Sequence, residues 1–360
     1  MKVLVVTGSS GGHIFPALAL IEQLSIEGCE VFLVLPEKKR QSINLIPGLQ
    51  FAYIPAVNLN LSLKRENLLG CYDFIVGAWK SLKLILKFKP DVVIGFGSLS
   101  TVALLFWAWL FRIKTMLHEQ NVIPGKANRF LAKFVDKVAI SFPQTQDYLR
   151  ITPEKLVLTG NPLRLALVRI DRVEALEFFK FQTGKFNILI TGGSQGSVKL
   201  NSICFGALAA LSQKNDLQII HVTGGKDFAQ LGSQYAVLGI SARTFDFLAQ
   251  MQYAYSVADL VIARSGATTV AELQSFKIPA ILIPYPFAYG HQVANARILE
   301  AAHQAIIFLD SELTETKLRE KIEEFMSKKG KEGIVSQAVT PVKVLTAAQL
   351  LARELRDLNS

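Results

Sequence analysis

Lys2–Gly12 reads KVLVVTGSSGG, and Phe186–Gly196 reads FNILITGGSQG. Each is a short apolar run, a Thr-Gly step and a glycine-rich turn that leads into a helical pattern. A strand buried on both faces reads as a continuous apolar run, and a glycine turn into a helix opens a doubly wound domain. The same device, offset by 184 residues in a chain of 360, predicts two such domains, each large enough for its own core. Further apolar runs alternate with helical patterns, at 30–35, 91–95, 114–117 and 136–140 in the first half and at 218–222, 259–263 and 279–283 in the second. The expected class is α/β, with two Rossmann-like, doubly wound parallel-sheet domains facing across a cleft. The domains are placed at 1–163 and 164–340, because Pro162 interrupts regular structure. The tail 341–360 carries an amphipathic helical pattern and is expected to pack back on the first domain.

Half of the residues are apolar, which excludes a disordered chain. The three cysteines, Cys29, Cys71 and Cys204, are too widely spaced for a disulfide framework or a metal cluster, as suits a reducing cytosol. The net charge of +10 is unevenly spread. Residues 1–165 carry 19 basic and 11 acidic side chains, net +8, and residues 166–360 carry 20 and 18, net +2. Such an excess is either solvated surface or the footprint of an anionic partner. No basic-aromatic motif of a nucleic-acid binder occurs. The opening run Val3–Val6 is too short for a signal peptide. The longest apolar run, Val102–Phe111 (VALLFWAWLF), would cover about 15 Å as a helix, half of a bilayer core.

Four glycine-rich turns follow expected strands: Gly8–His13, Gly95–Ser98, Gly192–Gly196 and Ser265–Thr269. Such a turn offers unpaired N–H groups and the positive end of a helix dipole to an anion. One alone is often only a tight turn. Four at strand carboxyl ends point to a diphosphate ligand. Neither strand-opening turn has the Gly-x-Gly-x-x-Gly spacing of a dinucleotide dehydrogenase, and no Gly-Lys-Ser/Thr of a P-loop occurs. None of the eight tyrosines has Lys four residues on, as a short-chain reductase requires. In Arg264–Glu272 (RSGATTVAE) a carboxylate follows the turn by one to two helical turns. There it can accept both hydroxyls of a ribose whose diphosphate sits at the helix N-terminus, or it is simply an exposed helix glutamate.

These motifs, with His118-Glu-Gln-Asn121, Asn128-Arg129, Gly160-Asn-Pro-Leu-Arg164 and His291-Gln292, run in order along nearly the whole chain. Together the chain resembles the MurG family of N-acetylglucosaminyltransferases. The resemblance implies a GT-B fold and an inverting transfer of N-acetylglucosamine from UDP-N-acetylglucosamine. The acceptor is the 4-hydroxyl of undecaprenyl-diphospho-muramoyl-pentapeptide (lipid I), and the product is the peptidoglycan precursor lipid II. It also implies a peripheral enzyme on the cytoplasmic face of the inner membrane, with no cofactor and no bound metal. Carried over motif by motif, the donor contacts are Ser10, Gly11, Gly12, Asn121, Arg164, Ser194, Leu248, Ala267, Thr268, Thr269, Val270, Ala271, Glu272 and Gln292. Arg164 and backbone N–H groups can neutralise charge on the departing diphosphate.

An attacking hydroxyl needs a base. His13, at a helix N-terminus where an imidazole stays neutral, is one candidate. Glu119 is the other, unless it is a buried partner holding the loop around Asn121. The second turn, Gly95-Phe-Gly-Ser98-Leu99-Ser-Thr101, departs from the family's Gly-x-Gly-Gly-Tyr-x-Ser at the loop expected to meet the acceptor's diphosphate. Within Leu68–Lys89, Lys80, Lys83 and Lys87 share a helical face beside Phe74, Ile75, Trp79, Leu82 and Leu86. That suits an interfacial helix on an anionic membrane surface, or an ordinary surface helix with a buried stripe. Alternatives that stay open are a GT-B transferase with another lipid acceptor, a UDP-sugar epimerase, and a non-catalytic UDP-sugar-binding membrane scaffold.

Overall fold

The computed structural model describes residues 1–37, 46–55, 65–193, 196–225, 228–329 and 345–360. The chain divides into two compact units, Met1–Leu165 with Val344–Ser360, and Ala166–Lys343. In unit 1 the order is β1 (Lys2–Val6), α1 (Gly11–Ile26), β2 (Glu30–Pro36), β3 (Gln50–Ile54), α2 (Arg65–Phe88), β4 (Val92–Gly95) and α3 (Leu99–Leu110). Then come β5 (Lys114–Glu119), α4 (Lys126–Leu131), β6 (Lys137–Ile140) and β7 (Leu156–Leu158). Unit 2 runs α5 (Arg172–Phe179), β8 (Phe186–Thr191), α6 (Val198–Ala209), β9 (Leu217–Val222), α7 (Phe228–Val237), β10 (Ser241–Phe245) and α8 (Met251–Val257). It continues with β11 (Leu260–Ala263), α9 (Ala267–Phe276), β12 (Ala280–Leu282), α10 (His291–Ala301), β13 (Ala305–Ile307) and α11 (Glu315–Lys329). The last helix, α12 (Ala347–Asn359), belongs to unit 1.

The sheets are ordered β3-β2-β1-β4-β5-β6-β7 and β10-β9-β8-β11-β12-β13, with every pairing parallel. Both are doubly wound, and in each the order reverses beside the first strand. Open α/β sheets bind ligands in the crevice at that switch point. The register puts Val6 opposite Gly95 in unit 1 and Thr191 opposite Ala263 in unit 2. The four glycine turns therefore come as two adjacent pairs, one pair at each switch point.

Burial on both faces explains the continuous apolar strands. In unit 1, Val3, Val5, Leu33 and Ile94 pack under α1 with Leu351, Ala352 and Leu355 of α12. On the other face Leu4, Val6, Val34 and Val93 pack under Ile85, Leu104, Leu105 and Leu131. Helix α12 starts on a capping box between Thr346 and Gln349. The run 102–111 is split rather than wholly interior: Ala103, Leu104, Leu105 and Ala108 are buried, while Phe106, Trp109, Leu110 and Phe111 are about half exposed. In unit 2, Ile188, Ile190, Ile219 and Ile262 pack with Leu200, Cys204, Leu208, Leu231, Tyr235, Leu318 and Ile322. No helix among the described residues is long and apolar enough to cross a membrane.

Candidate active site

Each unit builds its own switch-point crevice. In unit 1 the first turn delivers His13 to the opening of α1. Ser10, the N-cap, makes no side-chain cap to its helix; its Oγ instead lies 2.9 Å from His13 Nδ1. The imidazole fits only because both neighbouring turns lack side chains at the contact. A Cβ on Gly8 would stand 2.6 Å from His13 Nδ1, and one on Gly97 would stand 3.2 Å from His13 Nε2. Burial lowers the His13 pKa to about 4, so the ring is neutral at pH 7. Pro16 lies inside α1 and has no N–H to donate to the carbonyl of Gly12.

Glu119 ends β5 and is fully buried. Its Oε1 accepts from the Asn121 backbone N–H at 2.9 Å and from Asn121 Nδ2 at 3.1 Å. Its Oε2 accepts from Asn128 Nδ2 at 2.7 Å and from the Gly125 backbone N–H at 3.2 Å. Burial pushes the carboxyl pKa up, against the pull of those four donors. Both oxygens are thus engaged in fixing the loop that carries Asn121 and Asn128. A Cβ on Gly97 would lie 3.3 Å from both amide atoms of Asn128 and 3.2 Å from His13 Nε2. Asn128 and His13 therefore flank one point, the second glycine turn. There Ser98 holds φ +80°, where glycine is at ease and serine is strained.

His118 is a strut. Its Nε2 lies 3.1 Å from the Gly160 carbonyl and its Nδ1 3.0 Å from Gln120 Nε2, so the ring is neutral with the proton on Nε2. Burial lowers its pKa to about 4. It anchors the segment that ends in Arg164, whose guanidinium carbon lies 5.5 Å from the centre of the Phe15 ring on α1.

In unit 2, Gly193 at φ +82° donates its N–H to Thr191 Oγ1 at 3.2 Å. A Cβ on Gly196 would strike the Thr223 carbonyl at 2.2 Å, so this position requires glycine. Ser194 falls outside the described residues. Helix α9 has Gly266 as its N-cap, with no side chain to cap the first turn. The first N–H groups of a helix have no intrahelical acceptor, so those of Ala267, Thr268 and Thr269 can accommodate an anion. The Val270 N–H is taken by the Gly266 carbonyl at 2.9 Å and its side chain is fully buried, so Val270 packs the core instead. The Leu248 side chain is also buried.

One turn further on, Tyr255 Oη donates to Glu272 Oε2 at 2.7 Å and fixes the carboxylate. Helix α10 is tied to the same turn: Ser265 Oγ donates to the Gln292 carbonyl at 2.8 Å, and Asn295 Nδ2 to the Ser265 carbonyl at 3.3 Å. Gln292 Oε1 accepts from the Tyr285 N–H at 2.9 Å, so its side-chain oxygen is engaged within the protein. Buried Arg264 links the surroundings, donating to the Ile283 carbonyl at 3.1 Å, Ser197 Oγ at 3.0 Å and Asp310 Oδ1 at 2.7 Å. The amino-acid sequence does not reveal the roles of Tyr255 and of Arg264 as a brace. Arg264 stands in the RSGATTVAE motif, but Tyr255 lies 17 residues from Glu272, with no pattern that ties the two.

Paired glycine turns at two switch points, one beside a carboxylate held by a tyrosine, fit a sugar-nucleotide enzyme. The models of the glycosyltransferase family 28 N-terminal and C-terminal domains match residues 3–140 and 187–350. The class is thus a glycosyltransferase of GT-B fold. A protein of Halothermothrix orenii named UDP-N-acetylglucosamine–N-acetylmuramyl-(pentapeptide) pyrophosphoryl-undecaprenol N-acetylglucosamine transferase is 39% identical, over 91% of each chain. A protein of the same name from Thermodesulfovibrio yellowstonii is 36% identical over 91% of this chain and 90% of its own. The crystal structure of Acinetobacter baumannii MurG superposes with a TM-score of 0.71 over 99% of both chains, at 24% identity. The chain belongs to this family, the MurG transferases.

Proposed function

We propose that the protein transfers N-acetylglucosamine from UDP-N-acetylglucosamine to the muramoyl 4-hydroxyl of lipid I, with inversion at the anomeric carbon. The observation that carries this reading is the 39% identity, across 91% of the chain, to a relative named for that transfer.

The donor half falls to unit 2. Glu272, oriented by Tyr255, accepts the ribose hydroxyls, and the first turn of α9 takes the diphosphate. The Gln292 amide donates to the sugar, and the main chain at Leu248 meets the uracil. Ser10, Gly11, Gly12, Asn121, Arg164 and Ser194 complete the donor contacts. Arg164 offsets the charge that grows on the leaving UDP, a contribution of about 2.7–4 kcal/mol for one strong donor.

The acceptor half falls to unit 1, where His13 Nε2 is the base. For that role the Nδ1–H must donate to Ser10 Oγ, leaving the Nε2 lone pair free. The 4-hydroxyl proton passes to Nε2 as the oxygen bonds to C1. The C1–O bond to UDP breaks, and its electron pair leaves on the β-phosphate. Glu119 acts through Asn121 and Asn128 as a positioning residue. Half-exposed Ile75, Trp79, Phe106 and Trp109, with the basic excess of the first half, support peripheral attachment to an anionic leaflet on the cytoplasmic side.

Incubating the protein with labelled UDP-N-acetylglucosamine and lipid I tests the reaction. Label is expected in lipid II only when acceptor is present. A 2-epimer of the nucleotide sugar, formed without acceptor, would establish the epimerase alternative instead.

A further inference from the structure

Unit 1 contains a cavity of about 400 Å³ between α2, α3, α4 and the turn after α4, with walls that include Phe74, Ala78, Val102, Phe106, Trp109 and Phe134. All of its lining residues are apolar. The volume lies in the range of small-molecule sites, roughly 300–1,000 Å³, yet the cavity lacks the convergent polar groups that orient an ordinary metabolite. Such a site fits a hydrocarbon chain. At roughly 30 Å³ per heavy atom, the share of a water molecule in the liquid, it holds about thirteen atoms, close to three isoprene units.

Its place in the fold says which chain. Helix α3 begins at Leu99, directly after the strained Ser98 turn, and its wall residues Val102–Trp109 lie roughly 5–15 Å along the helix. Helix α4 carries Asn128, which holds Glu119, and within one further turn reaches the wall residues Phe130 and Leu131. Both helices thus run from the polar site around His13 into the apolar cavity. A molecule with its reacting sugar at His13 and its diphosphate at the second glycine turn has its hydrocarbon directed along α3. Exposed Arg112, Lys126, Arg129 and Lys133 sit on these same two segments, as suits an anionic head.

We propose that this cavity seats the first isoprene units of the prenyl chain of the acceptor. The inference rests on the transferase reading above. It makes the enzyme a reader of the lipid as well as of the sugar.

The test uses the full chain in buffer free of detergent and vesicles. Acceptors are muramoyl-pentapeptide diphosphates esterified with methyl, geranyl, farnesyl or geranylgeranyl groups. Each buried methylene is worth about fourfold in affinity, so the acceptor KM is expected to fall at least about tenfold from methyl to farnesyl and then level off. Ala78→Phe fills the cavity from α2. It is expected to raise the KM of the farnesyl acceptor to that of the methyl acceptor, leaving kcat and KM for the methyl acceptor and UDP-N-acetylglucosamine unchanged. Turnover of the methyl acceptor shows that the variant is folded.

If no acceptor is glycosylated, the transferase reading itself fails. If all are glycosylated with one KM, or Ala78→Phe leaves the chain-length series intact, only the cavity assignment fails. Should the variant not fold, tryptophan emission decides, because Trp107 and Trp109 line the cavity. Farnesyl diphosphate is expected to change it saturably. An equal response to monomeric dihexanoylphosphatidylglycerol would assign the cavity to membrane phospholipid and overturn the proposal.

Discussion

At the scale of single residues, the surroundings of His13 are organised by what is missing as much as by what is present. His13 reaches its place because Gly8 and Gly97 have no Cβ to meet it. Ser98, between them, is the exception. It occupies the left-handed region at φ +80°, and a Cβ on Gly8 would also press on its own Cβ at 2.9 Å. Ser98→Gly is expected to stabilise the protein by about 1 kcal/mol through relief of the left-handed conformation, less the entropy glycine brings to the unfolded chain. Denaturant unfolding checks this, and a destabilised variant would mean that serine contacts outweigh the strain. Glu119 shows where residue type alone misleads. A buried acid between two asparagines is equally compatible with a base and with a loop anchor. Only its four donors reveal that both oxygens are engaged.

At the scale of elements, α12 is the contributor to unit 1 that lies furthest from it in sequence. It follows the whole second unit in sequence, yet Leu351 and Leu355 are fully buried against α1. Lys137 and Glu354 pair at 2.8 Å beside it, and Arg356 pairs with Glu27. Leu351→Ala is expected to cost about 2–5 kcal/mol. Hydrogen exchange should then accelerate in β1 and α1 while β8 and β9 keep their protection; uniform acceleration would contradict a local role. The tail was legible because its apolar positions repeat at helical spacing. The central strands were legible because burial on both faces makes them unbroken apolar runs. Four strands were not legible: β3, β7, β10 and β13, each next to or at a sheet edge where residues are half-buried or exposed. An edge strand such as Ser241–Phe245 has no apolar run to announce it, and only its pairing with β9 makes it a strand. The glycine turns were visible as motifs, but their side-by-side pairing depends on strand order, which a linear pattern does not encode.

At the scale of the whole molecule, a basic half holds a neutral histidine and a near-neutral half holds a helix terminus beside a carboxylate. The neutral histidines have a cost in acid. His13 and His118 are held near pKa 4, while in the unfolded chain they titrate near 6.5. As pH falls from 6.5 toward 4 the unfolded state binds protons that the folded state refuses, so stability is lost across that window. Glu119, with its pKa raised, has the opposite sign and favours the folded state as pH falls. For fully buried His118 the loss amounts to roughly 2–3 kcal/mol by pH 4.5. His118→Gln is expected to flatten the fall in unfolding free energy between pH 7 and 4.5 by that amount. Whether His13 takes the proton in transfer from UDP-N-acetylglucosamine to the lipid-linked acceptor is directly measurable. Transfer to lipid I is measured for the natural protein and for His13→Ala at pH 7, together with donor affinity by calorimetry. With His13 as the base, kcat falls by about 10²–10⁴ in His13→Ala while donor affinity stays within a few fold. Turnover close to that of the natural protein would contradict it.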